Sequence, residues 1–235
     1  MFSLTPVIPA SPFILEASTG TVTPGITACR VTFAPDKWDD SLFTRLAIPF
    51  PASLAGAARK RKAEHLAGRY CAALLLRAAG CHSPVEIMAD RAPGWPTGFR
   101  GAIPHSNGQA IALLTTATSG FWPGVDIEEA RPKVMLETAG MYVTEQEQAL
   151  LTGISLPRHQ ALLIAFSAKE SLFKSLYPQV QCFFDFDAAA LCALDTREQT
   201  FTLVLTLTLS ATLTAGQAFQ GHWRLTDTGV ITCLW

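Results

Sequence analysis

"PRHQALLIAFSAKESLFKSLYP", Pro157 to Pro178, decides the fold. It is long enough for a helix of several turns, and the chain that follows it alternates like strand. With Phe166 set at 0°, Phe173 falls at about −20°, Tyr177 at about 20° and Leu163 at about 60°, an apolar stripe. Glu170 falls inside that stripe at about 40°, flanked by Lys174 at about 80° and Lys169 at about −60°. Pro178 is expected to close the helix.

Working outward, "TFTLVLTLTLS" places Phe201, Leu203, Leu205, Leu207 and Leu209 on one face of a strand, with mostly Thr on the other. "HWRLTDTGVITCLW" reads as a hairpin around Asp227 to Gly229. Upstream, Thr144 and Glu147 in "TEQEQALLTG" have the spacing of a capping box, and Gly153 would end that short helix. The front half repeats the theme. "ITACRVTFA" and "QAIALLTT" read as strands around the helix "AARKRKAEHLAGRYCAALLLRAAG", which has a basic front, an apolar rear and Gly80 as its C-terminal stop; "MADRAPGWPTGFRG" reads as a loop. Each half therefore holds strands, one long helix and more strands. The expected fold is α+β, two similar lobes, each a small mixed or antiparallel sheet packed with a long helix, meeting at a cleft. The lobes span 1–121 and 122–235.

The 235 residues are 49% hydrophobic and 16% charged, which suits a packed core rather than a disordered chain. A net charge of −1 argues against bulk nucleic-acid binding. The six cysteines are scattered without a CxxC pair, so they read as reduced thiols of a cytoplasmic protein. The N-terminal "MFSLTPVIPASPFILEASTG" lacks a basic region and a long apolar run, and no stretch is long and apolar enough for a transmembrane segment.

"GVDIEE", Gly124 to Glu129, carries the chemistry. As a strand it puts Asp126 and Glu128 on one face, where two carboxylates repel unless something positive lies between them. A hard divalent cation such as Mg²⁺ answers that need; so does a solvated strand end beside Arg131. Glu170 is open in the same way. It could simply pair with Lys174 at i,i+4, or it could join Asp126 and Glu128 around a metal while the lysines face phosphate oxygens.

Gly124-Val125-Asp126-Ile127-Glu128, then about forty residues, then Phe166 to Lys174, resembles the paired signature of the 4′-phosphopantetheinyl transferases of the Sfp-like class. The resemblance extends to the siderophore-synthesis (enterobactin) branch. It takes in Arg59 to Tyr70, the R-x-P-x-W-P-x-G loop at Arg91 to Gly98, the pair His105-Ser106 and the stretch "YPQVQCFFDFDAA". The resemblance implies transfer of the phosphopantetheine arm of coenzyme A to a serine of an apo carrier protein, an acyl, peptidyl or aryl carrier domain, with release of adenosine 3′,5′-bisphosphate.

Carried over residue by residue, the resemblance gives Asp126, Glu128 and Glu170 as Mg²⁺ ligands and Glu170 as the general base. Lys174, with Lys169 beside it, would steady the pyrophosphate. Arg61, Arg69, Arg91, His105 and Ser106 would hold coenzyme A. Arg61 and Arg69 are about 80° apart on their helix, so both can lean one way. "GAIPHS" departs from the pattern, with Ala102 and Pro104 where the family usually has hydroxylated residues. A binding protein that keeps coenzyme A but has lost transfer, and a Mg²⁺-dependent pyrophosphate hydrolase, are the competing functions. Two lobes in one chain make a monomer the expectation.

Overall fold

In the first unit, which ends at Pro123, alternating apolar residues build one antiparallel sheet. The computed structural model describes residues 4–235; residues 1–3, the start of the N-terminal stretch read above, lie outside the described residues. The strands of the first unit are β1 (Thr5–Val7), β2 (Ile14–Thr23), β3 (Ile26–Phe33), β4 (Glu86–Ile87), β5 (Pro93–Gly94), β6 (Phe99–Ala102), β7 (His105–Ser106) and β8 (Gln109–Thr116). Its helices are α1 (Ser41–Arg45) and α2 (Arg59–Ala78). The sheet order is β1-β2-β3-β8-β6, with β7 on β8, while β4 and β5 form a separate two-stranded ladder. α2 lies on β3 and β8 and buries Leu66, Ala67, Tyr70 and Cys71 against them. It stops where expected, with Gly80 at φ 79, the left-handed conformation that costs glycine little.

The second unit runs from Gly124 to Trp235. It contains β9 (Gly124–Glu129), α3 (Pro132–Thr138), α4 (Glu145–Thr152), α5 (Arg158–Val180), β10 (Ala189–Asp195), β11 (Thr200–Leu205), β12 (Ala218–Leu225) and β13 (Gly229–Leu234). These strands form one antiparallel sheet in the order β10-β11-β12-β13-β9, so the first strand of the unit pairs with its last. α5 crosses β9 and β13. It comes so close to the start of β9 that a Cβ at Gly124 would sit 2.0 Å from the Ser171 carbonyl oxygen. The capping box at Thr144 is formed: Thr144 Oγ1 accepts the Glu147 N–H at 3.2 Å, and Glu147 Oε2 accepts the Thr144 N–H at 2.8 Å.

Four expectations change. α5 does not end at Pro178 but runs on to Val180, and Gln181 closes it at φ 52. In the last turn the proline forfeits one helical hydrogen bond only, which the packed helix tolerates. The stripe of Phe166, Phe173, Tyr177 and Leu163 is not the buried face as a whole. Of the stripe only Leu163 is fully buried; Ala161, Leu162, Ile164, Ala165, Ala168, Leu172 and Leu176 are buried with it, and Ser167 and Ser171 lie toward the sheet. α3 and α4 cover another side of α5, so burial reaches round most of the helix and a single stripe cannot locate it. β11 stops at Leu205, because Thr206 turns to the Ala188 and Asp187 carbonyls; Leu207 is half exposed. The stretch expected as a loop, Met88 to Gly101, holds β5, which pairs with β4 through Glu86–Gly94 and Ile87–Pro93, and its last three residues, Phe99 to Gly101, belong to β6 on β8.

All six cysteines are free, and Cys29, Cys71 and Cys233 are buried. Among the described residues no helix is long and apolar enough to cross a membrane.

Candidate active site

The alternation of β9 buries Val125 and Ile127 on one face of the sheet and sends Asp126 and Glu128 to the face that α5 crosses. α5 supplies Lys174 and, one turn earlier, Glu170. Lys174 Nζ forms a short ion pair with Asp126 Oδ1 and lies 3.9 Å from Glu170 Oε2. The cation thus stands between an acid from the strand and an acid from its own helix. Asp126 is 1% exposed, and its second oxygen, Oδ2, accepts the Ser167 hydroxyl at 2.7 Å.

Electrostatics follow from this crowding. Burial, then the nearby Asp126, pushes the Glu128 carboxyl up to about 7. Burial also raises the Glu170 carboxyl; Lys174 opposes the rise and Asp126 adds to it. Burial works against the Lys174 charge, but the Asp126 carboxylate, with Glu170 and Glu128, outweighs it and raises the ammonium. Among the described residues no three His, Cys, Asp or Glu side chains form a ready-made metal cage. The acids gather around Lys174 instead.

Lys169 is placed elsewhere, and the expectation that it faces phosphate is corrected. Its side chain is 4% exposed. Its ammonium donates to Glu147 Oε1 at 2.8 Å, the Tyr142 carbonyl at 2.8 Å and the Phe186 carbonyl at 3.1 Å, so all three of its protons are used. Glu147, read from sequence only as a capping residue, also accepts the Leu191 N–H at 2.7 Å. One carboxylate therefore caps α4, ties it to β10 and anchors α5 one residue before Glu170.

In the first unit Arg61 and His105 meet: Arg61 Nη1 lies 2.9 Å from His105 Nε2. His105 Nδ1 lies 3.6 Å from Glu64 Oε2, longer than a hydrogen bond but within ion-pair reach when the ring is protonated. Glu64 went unremarked inside the "AEHLAGRY" run; its signal was its place one turn after Arg61. Ser106 follows His105 in β7, half-buried.

Arg69 turns to the β4 end, where Nη2 donates to the Glu86 carbonyl at 2.9 Å. Its buried Nε has no hydrogen-bond partner. Burial and Arg61 lower it to about 10. Arg69 and His65 line a cavity of about 470 Å³, with Ile48 and Ile87 among its apolar walls. Burial, then Arg69, Arg61 and His105, pushes His65 down to about 3, which leaves a neutral imidazole there. Arg91 is not gathered with these groups. It stands exposed at the tip of the β4-β5 hairpin with φ 71, its N–H on the Met88 carbonyl at 2.9 Å. Pro104 keeps a backbone role, as its carbonyl accepts the Ile111 N–H at 3.0 Å.

Comparison with known proteins matches a family model to each unit. A family model described as 4′-phosphopantetheinyl transferase N-terminal domain matches residues 50–115, and one described as 4′-phosphopantetheinyl transferase superfamily matches residues 123–232. Enterobactin synthase component D of Salmonella typhi is 35% identical over 79% of this chain and 76% of its own length. The 4′-phosphopantetheinyl transferase Svp of Streptomyces mobaraensis is 32% identical over 89% of this chain and 84% of its own. The 4′-phosphopantetheinyl transferase Npt of Nocardia iowensis is 27% identical over 77% and 85%. With both halves matched and relatives above 30% identity spanning most of either chain, the chain belongs to the 4′-phosphopantetheinyl transferase superfamily.

Proposed function

We propose that this protein transfers the 4′-phosphopantetheine arm of coenzyme A to a serine hydroxyl of an apo carrier protein, releasing adenosine 3′,5′-bisphosphate. The observation that carries the reading is the meeting of Asp126, Glu170 and Lys174, with Glu128 alongside, inside the unit that the superfamily model matches. The donor set fits a hard divalent cation: three carboxylates, one of them held near neutral pH by burial and by its neighbour. Asp126, Glu128 and Glu170 would hold Mg²⁺. Bound there, it supplies neutralisation of the pyrophosphate charge.

The chain's own residues do the rest. Glu170 takes the proton of the carrier serine as its oxygen attacks phosphorus; burial, by raising this carboxyl, makes it a better base. Lys174 donates to the pyrophosphate as the phosphoanhydride bond breaks toward the bisphosphate. In the first unit Arg61 and Ser106 donate to phosphate oxygens, His105 joins them in its protonated form, and Arg69 offers its unpartnered Nε. Arg91, exposed and apart, would reach the ligand from its loop. We place the protein in the cytoplasm as a monomer, acting on peptidyl or aryl carrier domains of a siderophore or other non-ribosomal peptide synthetase.

The test is intact-mass spectrometry of an apo peptidyl carrier protein incubated with this protein, coenzyme A and Mg²⁺. Gain of one phosphopantetheine, lost with chelator and with Glu170→Gln, is the expected result. Coenzyme A bound without transfer to any carrier would instead identify a binding protein, and its cleavage without carrier a hydrolase.

A further inference from the structure

Three hydroxyls lie buried behind Asp126, and packing alone does not call for them. α5 meets β9 and β13 along Ser167 and Ser171, small residues that let the backbones approach. Alanine would allow the same approach, as Ala165 and Ala168 show elsewhere on the helix. A buried hydroxyl is costly unless it is hydrogen-bonded, so its presence asks for a partner.

The partners form a chain. Ser167 Oγ lies 2.7 Å from Asp126 Oδ2 and 2.8 Å from Thr232 Oγ1; Thr232 Oγ1 lies 2.6 Å from Ser171 Oγ. Ser167, Ser171 and Thr232 are each 0% exposed. Thr232 stands directly opposite Asp126 in the β13-β9 register. Each hydroxyl has one proton, and a carboxylate only accepts. Ser167 therefore gives its proton to Asp126 and accepts from Thr232, which accepts from Ser171. The one proton of Thr232 is shared between Ser167 Oγ and the Ser167 carbonyl at 2.8 Å, and that of Ser171 between Thr232 Oγ1 and the Thr232 carbonyl at 3.1 Å, so the chain is also braced to both backbones. The Ser167 hydroxyl is the donor fixed on Asp126, and Thr232 holds that hydroxyl from behind.

We infer that Ser167 and Thr232 are positioning residues for Asp126: they pin Oδ2 and so turn Oδ1 to the side where Lys174 and Glu170 stand. The inference rests on the proposed function in taking Asp126 as a metal ligand. Its test uses metal binding, not transfer.

The probe is Mn²⁺, titrated into the full chain with and without coenzyme A, with free Mn²⁺ read by electron paramagnetic resonance and no carrier protein present. Ser167→Ala and Thr232→Val should each weaken Mn²⁺ binding in the presence of coenzyme A by about 10- to 100-fold, the usual effect of removing a group that orients a ligand. Thr232→Ser, which keeps the hydroxyl, should bind like the parent, and the Ser167→Ala/Thr232→Val pair should lose little more than either alone, since both act through one carboxylate. Melting temperatures recorded beside each titration separate loss of orientation from loss of fold. A natively melting Ser167→Ala protein with parental Mn²⁺ affinity overturns the inference. So does a Thr232→Ser protein as weak as Thr232→Val, or a parent chain that binds no Mn²⁺ with coenzyme A. Failure of the parent to modify any carrier would overturn the proposed function and leave the Mn²⁺ comparison readable.

Discussion

Replacing Lys169 by methionine separates its two readings, phosphate ligand and buried strut. Methionine keeps the length of the stem and removes the charge. Glu147 then stays at 2% side-chain exposure with the Leu191 and Thr144 N–H groups but no cation, and the Tyr142 and Phe186 carbonyls each lose a donor. Breaking a buried pair from one side costs about 3–5 kcal/mol; the two backbone donors left on Glu147 put the expected loss near the lower end, about 3 kcal/mol. For a chain of this size that corresponds to a fall in melting temperature of about 6–12 °C. Glu147→Gln should cost about as much, because it strands the buried ammonium. The double variant should cost clearly less than the two losses combined.

The assay is urea denaturation of the three variants. Burial works against the Glu147 charge, but the Leu191 N–H, Lys169 and the Thr144 N–H outweigh it and hold the carboxyl below its ordinary range. The pair's contribution is therefore present above the unfolded carboxyl's pKa and fades as pH falls through the lower folded one. If Lys169→Met stays within about 1 kcal/mol of the parent while its KM for coenzyme A rises, the strut reasoning is refuted and the phosphate reading restored.

Glu128→Gln should stabilise the metal-free protein at pH 8 and leave it unchanged at pH 4. The carboxyl sits at about 7 when folded against 4.5 ordinarily, so its ionisation works against folding through that window and above it. The displacement is worth about 3 kcal/mol at most, and partial solvent exposure brings the expected gain to about 1–2 kcal/mol. Equal effects at both pH values in chemical denaturation would contradict this. Gly124→Ala should cost about 3 kcal/mol and depress transfer, since its Cβ would lie 2.0 Å from the Ser171 carbonyl oxygen and 2.9 Å from Ser175 Cβ, forcing α5 off β9; a melting curve that matches the parent's would be the contrary result. Arg61→Ala should raise KM for coenzyme A by about 10-fold with little change in kcat, as expected for a charged contact present in both ground and transition states; steady-state kinetics on an apo carrier protein decide it.

Periodicity carried most of the fold. Short apolar runs located β3 and β8, two-residue alternation located β11, turn residues located the β12-β13 hairpin, and Gly80 and Thr144 marked helix ends because local backbone chemistry sets them. It failed where tertiary contacts take over. α5 touches a sheet on one side and α3 and α4 on another, so its wheel has no single buried arc and Lys169 could not be told from Lys174. Both are lysines beside Glu170; what separates them is Glu147, 22 residues earlier, which only the folded chain brings to Lys169. β11 ended early because Thr206 is drawn to the Asp187 and Ala188 carbonyls, a pairing that no strand pattern encodes. Asp126, Glu128, Glu170 and Lys174 were legible as a set because short-range spacing and the paired signature specify them together. Ser167 and Thr232 were not, since a serine in a helix and a threonine in a strand are ordinary residues until the register sets one behind Asp126.

The pairing of β9 with β13 also has a kinetic side. It joins Asp126 to Thr232, partners roughly a hundred residues apart in the chain, and closing a loop of that length precedes any reward from the contact. α5 and the β10-β11-β12 meander can organise from nearer neighbours, whereas the acid strand must await the final strand of the sheet. During refolding, helical signal should therefore recover before the site does. Intermediates caught in between would display β9 and β13 as unpaired edges, the kind of surface that a chaperone captures or that aggregation exploits.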